Sequence, residues 1–150
     1  MQPFRGMVAV GDPLPKFAAV DQDGKPFSSE ALRGKPAVVY FYPAADTPGC
    51  TIEAKGFRDE LPHYRAKGVE VVGVSVDDCP AQKAFATKYG LGFTLLCDPQ
   101  RTVAKAFDVL HPRGVARRVT FLVGPSGKVE EVVDASSVET HLARARARFL

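Results

Sequence analysis

Cysteine is scarce in this chain: Cys50, Cys79 and Cys97 are the only three, an odd number at irregular spacing. That set excludes a disulfide framework and makes a reducing cytoplasm the expected setting. Histidine is equally sparse. His63, His111 and His141 lack ligand-like spacing, so no metal is expected and surface or loop roles are assigned to all three. No P-loop or G-x-G-x-x-G run offers a phosphate cradle. Residues Met1 to Gly6 hold no long apolar stretch, so neither a signal peptide nor a membrane anchor is expected. The net charge of +3 is mild, and no basic stripe interleaved with aromatics points to nucleic acid. Arg144, Arg146 and Arg148 alternate with alanines near the C-terminus, but only Arg144 and Arg148 share a helical face. This reads as a solvated helix docked through Leu142, Phe149 and Leu150 rather than a polyanion site.

What is present suits one globular domain over residues 1–150: 45% hydrophobic and 25% charged residues, enough for a substantial core. Ala37 to Tyr42 and Val69 to Asp77 are near-continuous apolar runs, expected of strands covered on both faces. Phe17 to Asp21 reads as an edge strand turning at Asp23-Gly24, and Phe93 to Leu96 as a short strand. Helices are expected over Thr51–Leu61, from Asp78-Cys79-Pro80 to Gly90, over Arg101–Phe107 and over Val138–Phe149. Pro62 should kink or interrupt the first of these. A hairpin joins Arg118–Val123 to Lys128–Asp134 around Pro125-Ser126-Gly127. Alternating strands and helices that close on a hairpin imply a three-layer α/β domain.

The stretch Pro43-Ala44-Ala45-Asp46-Thr47-Pro48-Gly49-Cys50 lies between the first long strand and its helix. Cys50 therefore falls at a helix N-terminus, where unpartnered N–H groups favour a thiolate. Thr47, three residues earlier, cannot close a disulfide with it, so C-x-x-C exchange is excluded. Its hydroxyl can instead serve the thiolate or an oxygen substrate. Pro43 and Pro48 restrict the loop and suit a small preformed pocket. Cys50, Ala54, Phe57, Leu61 and Tyr64 form one helical seam, which holds Cys50 inward.

Together, Tyr42-Pro43, Asp46-Thr47-Pro48-Gly49-Cys50-Thr51, Glu53-Ala54 and Gly56-Phe57-Arg58-Asp59 resemble the active-site signature of peroxiredoxins. The branch is the bacterioferritin comigratory protein, or peroxiredoxin Q, family. Gly11-Asp12-Pro13 to Phe17, Phe85-Ala86 with Lys88-Tyr89-Gly90-Leu91, Asp98-Pro99, and Arg118 with Thr120-Phe121-Leu122 extend the likeness over nearly the whole chain. The resemblance implies a thioredoxin-like fold with a central mixed sheet flanked by helices. It also implies a thiol-dependent peroxidase for hydrogen peroxide and organic hydroperoxides. Cys50 would be the peroxidatic residue, with Thr47, Pro43 and Arg118 around it. Thioredoxin or another thiol would regenerate it, with no metal, flavin or haem. Arg118 matches the family arginine two residues before a Thr-Phe pair. Arg117 would point to the other sheet face, and Arg58 would be structural.

The resemblance stops short of the resolving cysteine. Its usual places correspond here to Lys55 and to a position near Ala86. Cys79, Cys97 or an outside thiol remain, and Cys79 is the internal candidate because it follows the next strand along the same sheet edge. Cys97, ending Thr94-Leu95-Leu96, reads as a buried structural thiol. Other readings are a peroxide-sensing relay that passes oxidation to a partner protein, and a thioredoxin-like binding module without turnover. A monomer or weak homodimer is expected, with no nucleic-acid or membrane partner.

Overall fold

A computed structural model describes residues 6–150. Its strands are β1 (Ala18–Asp21), β2 (Pro26–Ser28), β3 (Ala37–Phe41), β4 (Glu70–Ser75), β5 (Thr94–Cys97), β6 (Val119–Val123) and β7 (Val129–Asp134). Its α-helices are α1 (Pro48–Ala66), α2 (Cys79–Tyr89), α3 (Thr102–Phe107) and α4 (Val138–Phe149). Among the described residues the strands form one sheet in the order β2-β1-β5-β4-β3-β6-β7. The β3-β4 and β4-β5 pairs are parallel and the remaining pairs antiparallel.

Side-chain alternation along β3 divides the core into two layers. Val38 and Tyr40 face Phe57, Leu61 and Tyr64 of α1, Phe85 of α2, and Leu142 and Ala145 of α4. Ala37, Val39 and Phe41 face the opposite way, onto Val103, Ala104 and Phe107 of α3 with Phe17 and Leu32. Every β3 position is buried, which explains its unbroken apolar run. This is the expected three-layer, thioredoxin-like arrangement. Gly56 lets α1 and α4 cross closely, because an added Cβ would stand 2.5 Å from Leu142 Cδ1.

Two expectations need correction. Residues 18–21 are not an edge, because β2 pairs outside β1. Asp21 Oδ1 accepts from the Asp23 and Lys25 N–H groups and shapes the turn between them. Pro62 does not end α1, which continues to Ala66. Pro62 is exposed, whereas Leu61 and Tyr64 on either side are buried. Their packing offsets the roughly 3 kcal/mol cost of an interior proline. The start of α2 follows expectation: Asp78 Oδ1 accepts from Ala81 N–H, and Gly90, at φ 57°, terminates the helix in the left-handed region. No helix among the described residues is long and apolar enough to cross a membrane.

Candidate active site

The peroxide-site candidates gather where β3 gives way to α1. Beyond Phe41, Tyr42 still donates its N–H to Val74 O of β4, so the loop departs from the carboxyl edge of the parallel strands. Two anchors fix its shape. Ala45 N–H donates to Asp77 Oδ2 at 2.8 Å, and that oxygen also accepts from Ser75 Oγ at 2.6 Å. Asp46, at φ 58°, is gripped by Lys88 Nζ at 2.8 Å and Tyr89 Oη at 2.7 Å from the end of α2. A short acidic side chain tolerates that left-handed backbone.

Cys50 lies in the first turn of α1 and is only 1% exposed. Its sulfur accepts from Arg118 Nη2 at 3.3 Å. β6 runs antiparallel to β3 with Val119 opposite Phe41, which places Arg118 beside the end of β3 and beneath the helix. Arg117 is exposed instead, and its N–H is used by Val109 O. Thr47 occupies the N-cap position, but its hydroxyl donates to Ala44 O at 2.8 Å rather than capping the helix. With its proton committed there, Oγ1 offers lone pairs to an incoming O–H. Pro43 and Arg118 line a neighbouring pocket of about 450 Å³ whose apolar wall is Val115, Ala116 and Ala135 and whose polar wall includes Arg113, Arg117 and Asp134; Cys50 and Thr47 lie outside its lining. Arg58 is structural, as expected: it pairs with Asp59 and donates to Tyr89 O.

These contacts coincide with clear similarities to known proteins. Residues 10–132 match the AhpC/TSA family. Peroxiredoxin Bcp of Escherichia coli (strain K12) is 38% identical over 138 residues, 87% of this chain and 88% of that protein. The chain belongs to this family, in its bacterioferritin comigratory protein and peroxiredoxin Q branch. A chloroplastic peroxiredoxin Q of Triticum aestivum is 50% identical over 104 residues, 69% of this chain and 48% of that protein. The chain thus spans about half the length of the chloroplastic relatives it matches. Among solved structures, peroxidoxin BcpB of Mycobacterium tuberculosis superposes with a TM-score of 0.88 at 34% identity, covering 95% of this chain and 96% of that one.

Beneath the peroxiredoxin signature lies a buried polar layer that the sequence reading missed. Arg118 Nη1 donates to Glu53 Oε1 at 2.6 Å. Glu53 is fully buried, and its Oε2 has no hydrogen-bond partner among the described residues. Burial pushes its carboxyl up to about 7, against the opposing pull of Arg118. For Arg118 itself, burial works to lower the pKa, but Glu53 and Cys50 outweigh it and hold the guanidinium above its ordinary value. The available signal was spacing: Glu53 is one helical turn after Cys50 and shares its face.

His141 is the clearest correction. It is buried completely, with Nδ1 2.8 Å from Thr120 Oγ1 and Nε2 2.7 Å from Ala135 O. The carbonyl accepts only, so Nε2 carries the proton and Nδ1 accepts from Thr120. Burial lowers the His141 pKa below its ordinary value, which favours this neutral form. Nδ1 stands 3.9 Å from Glu53 Oε2, so the histidine walls the carboxylate without bonding it. The expected sharing of a face by Arg144 and Arg148 does hold: both reach Glu131 on β7.

Cys79 and Cys97 are joined to each other, with Cα atoms 5.2 Å apart, and Cys50 is free. Cys97 is buried as expected, but it is a bonded half-cystine rather than a lone thiol.

Proposed function

We propose that this chain is a thiol-dependent peroxidase for hydrogen peroxide and organic hydroperoxides, working through a Cys50 sulfenic acid. The observation that carries the reading is the Arg118 contact to Cys50 Sγ at the first turn of α1. A peroxide that reaches Cys50 donates its O–H to Thr47 Oγ1. The Cys50 thiolate attacks the nearer peroxide oxygen along the O–O axis. An S–O bond forms as the O–O bond breaks, and the departing oxygen leaves as water or alcohol after taking a proton. Arg118 and the N–H groups of the first turn stabilise charge as it passes from sulfur to the leaving oxygen. The apolar wall of the neighbouring pocket accommodates an alkyl group as well as a hydrogen. Thioredoxin or a similar dithiol in the cytoplasm then returns the sulfur to a thiol.

Sustained peroxide consumption with a dithiol reductant tests the proposal. Wild-type protein is expected to turn over, and Cys50→Ser to lose activity to the level of the reductant alone. Retained turnover in Cys50→Ser would refute the assignment.

A further inference from the structure

The three cysteines follow the carboxyl ends of three neighbouring parallel strands. Cys50 comes after β3, Cys79 opens α2 just after β4, and Cys97 is the last residue of β5. Helices α1 and α2 cover the same sheet face, as Phe57 and Phe85 share one core. Cys50 and Cys79 therefore stand at helix N-termini along one edge, Cys79 over β5 and 3.5 Å from Asp21 O of β1, Cys50 between β3 and Arg118. The two segments are also cross-tied, by Ala45 N–H to Asp77 Oδ2 and by Tyr42 Oη to Gln82 Oε1 at 2.6 Å.

A purely architectural role for the Cys79–Cys97 bond is hard to sustain. The start of α2 is already capped by Asp78. Gln82, fully buried, already ties the helix to β5 through Leu96 O. A static disulfide would also be lost in a reducing compartment. The two sulfurs differ in access: Cys97 is 6% exposed, whereas Cys79 is partly open to solvent.

On the basis of the peroxidase reading above, we infer that Cys79 and Cys97 form a dithiol relay that empties the Cys50 sulfenic acid in two steps. The Cys79 thiol first condenses with Cys50–SOH, forming the Cys50–Cys79 disulfide and releasing water. The Cys97 thiolate then attacks the Cys79 sulfur, forming Cys79–Cys97 and expelling the Cys50 thiolate. In sum, one sulfenic acid and two thiols become one thiol, one disulfide and one water. Arg118 gives the second step its direction, because the guanidinium beside Cys50 stabilises the expelled thiolate as a leaving group. The first step requires the opening turns of both α1 and α2 to fray, breaking the Thr51 N–H to Thr47 O and Gln82 N–H to Asp78 O bonds, so that the two sulfurs can meet across β4. The structure matches the end of the sequence, with Cys50 free and the other two joined. An external dithiol then attacks the more accessible Cys79 and never enters the Cys50 pocket.

Fully reduced wild-type protein, freed of reductant, would be treated with one equivalent of hydrogen peroxide, acid-quenched at intervals and mapped by mass spectrometry. A Cys50–Cys79 link should rise first and give way to Cys79–Cys97, with two thiols lost and Cys50 recovered. Cys97→Ser should accumulate Cys50–Cys79, and Cys79→Ser should hold a dimedone-reactive Cys50. The relay is overturned if wild type stops at Cys50–Cys79, or keeps a sulfenic acid with both other thiols free. It is also overturned if Cys79–Cys97 forms as fast in Cys50→Ser. A Cys50 that peroxide never modifies, with no dimedone adduct in any variant, defeats the peroxidase reading as well and is told apart by that absence. The wild-type time course stands even if a variant fails to fold.

Discussion

Glu53 spends one carboxylate oxygen on Arg118 at 2.6 Å and leaves the other buried, without a partner among the described residues. Its ionised form is thus half-supported, and burial raises its pKa from 4.5 to about 7. Between these values the folded state binds more protons than the unfolded chain, so stability falls as pH rises through the window. The shift corresponds to roughly 3 kcal/mol. Relative to wild type, Glu53→Gln should therefore gain about 3 kcal/mol between pH 4 and pH 8, read by urea denaturation at both ends. A pH-independent difference would show that burial leaves the Glu53 pKa at its unfolded value.

His141 works in the opposite sense. Its pKa is lowered by burial, so the folded state resists a proton that the unfolded imidazole accepts near 6.5. Stability from the neutral ring is present above that value and is lost as pH falls below it. In wild type the Glu53 and His141 slopes oppose each other. Glu53→Gln should expose a loss of stability on acidification below pH 6.5, and His141→Asn should remove that loss. Denaturation midpoints at pH 5, 6 and 7 separate the two; parallel curves for all three proteins would contradict the pairing of effects.

Much of this was legible in the sequence because it depended on local order. The bounds of α4 follow from residue spacing, and the end of α2 from Gly90. Arg118 could be placed because the family resemblance puts an arginine two residues before Thr120-Phe121 and strand alternation then turns Arg117 away, and Cys50 because a strand hands over to a helix there. The rest depended on partners remote in sequence. Nothing local in residues 26–28, which include a proline, announces a strand; only pairing with β1 makes one. Glu53 and His141 meet their polar partners only because Arg118, just before β6, and Thr120, within it, are brought there by pairing with β3. Cys97 looked like a lone core thiol because its bond to Cys79 depends on where β4 ends beside β5.

Arg118 serves two partners with one planar fork, which a lysine cannot copy. Arg118→Lys should retain one contact and lose about 10-fold to 100-fold in the rate of Cys50 oxidation, and Arg118→Met about 10²–10³-fold. Stopped-flow oxidation with hydrogen peroxide reads this directly. Arg118→Met should also stabilise the protonated form of Glu53, so its stability deficit should shrink at pH 5. Equal oxidation rates for lysine and arginine would mean that charge alone suffices.

Thr47 is predicted to act as an acceptor, since its own proton is held by Ala44 O. Thr47→Ser keeps the oxygen and should lose less than about 5-fold in oxidation rate, whereas Thr47→Val should lose about 100-fold or more. Because Thr47 makes no side-chain cap bond to α1, the valine variant should unfold within about 1 kcal/mol of wild type. A large stability loss with little change in rate would assign Thr47 to the loop scaffold instead.

Gly49 supplies a test that leaves every reactive group in place. A Cβ at this position would stand 3.2 Å from Arg118 Nη2, the nitrogen that contacts Cys50. The guanidinium cannot yield freely, because its other nitrogen is held by buried Glu53 at 2.6 Å. Gly49→Ala should therefore lengthen the Arg118–sulfur contact by a few tenths of an ångström and slow Cys50 oxidation about 10-fold, in line with the sensitivity of such sites to small misplacement. Alanine also favours the helix over glycine by up to about 1 kcal/mol, so stability should hold or rise. Combining it with Glu53→Gln frees the fork to move as a unit. If the steric account is right, the double variant should not show the product of the two single rate losses, and additive losses in log rate would argue against it.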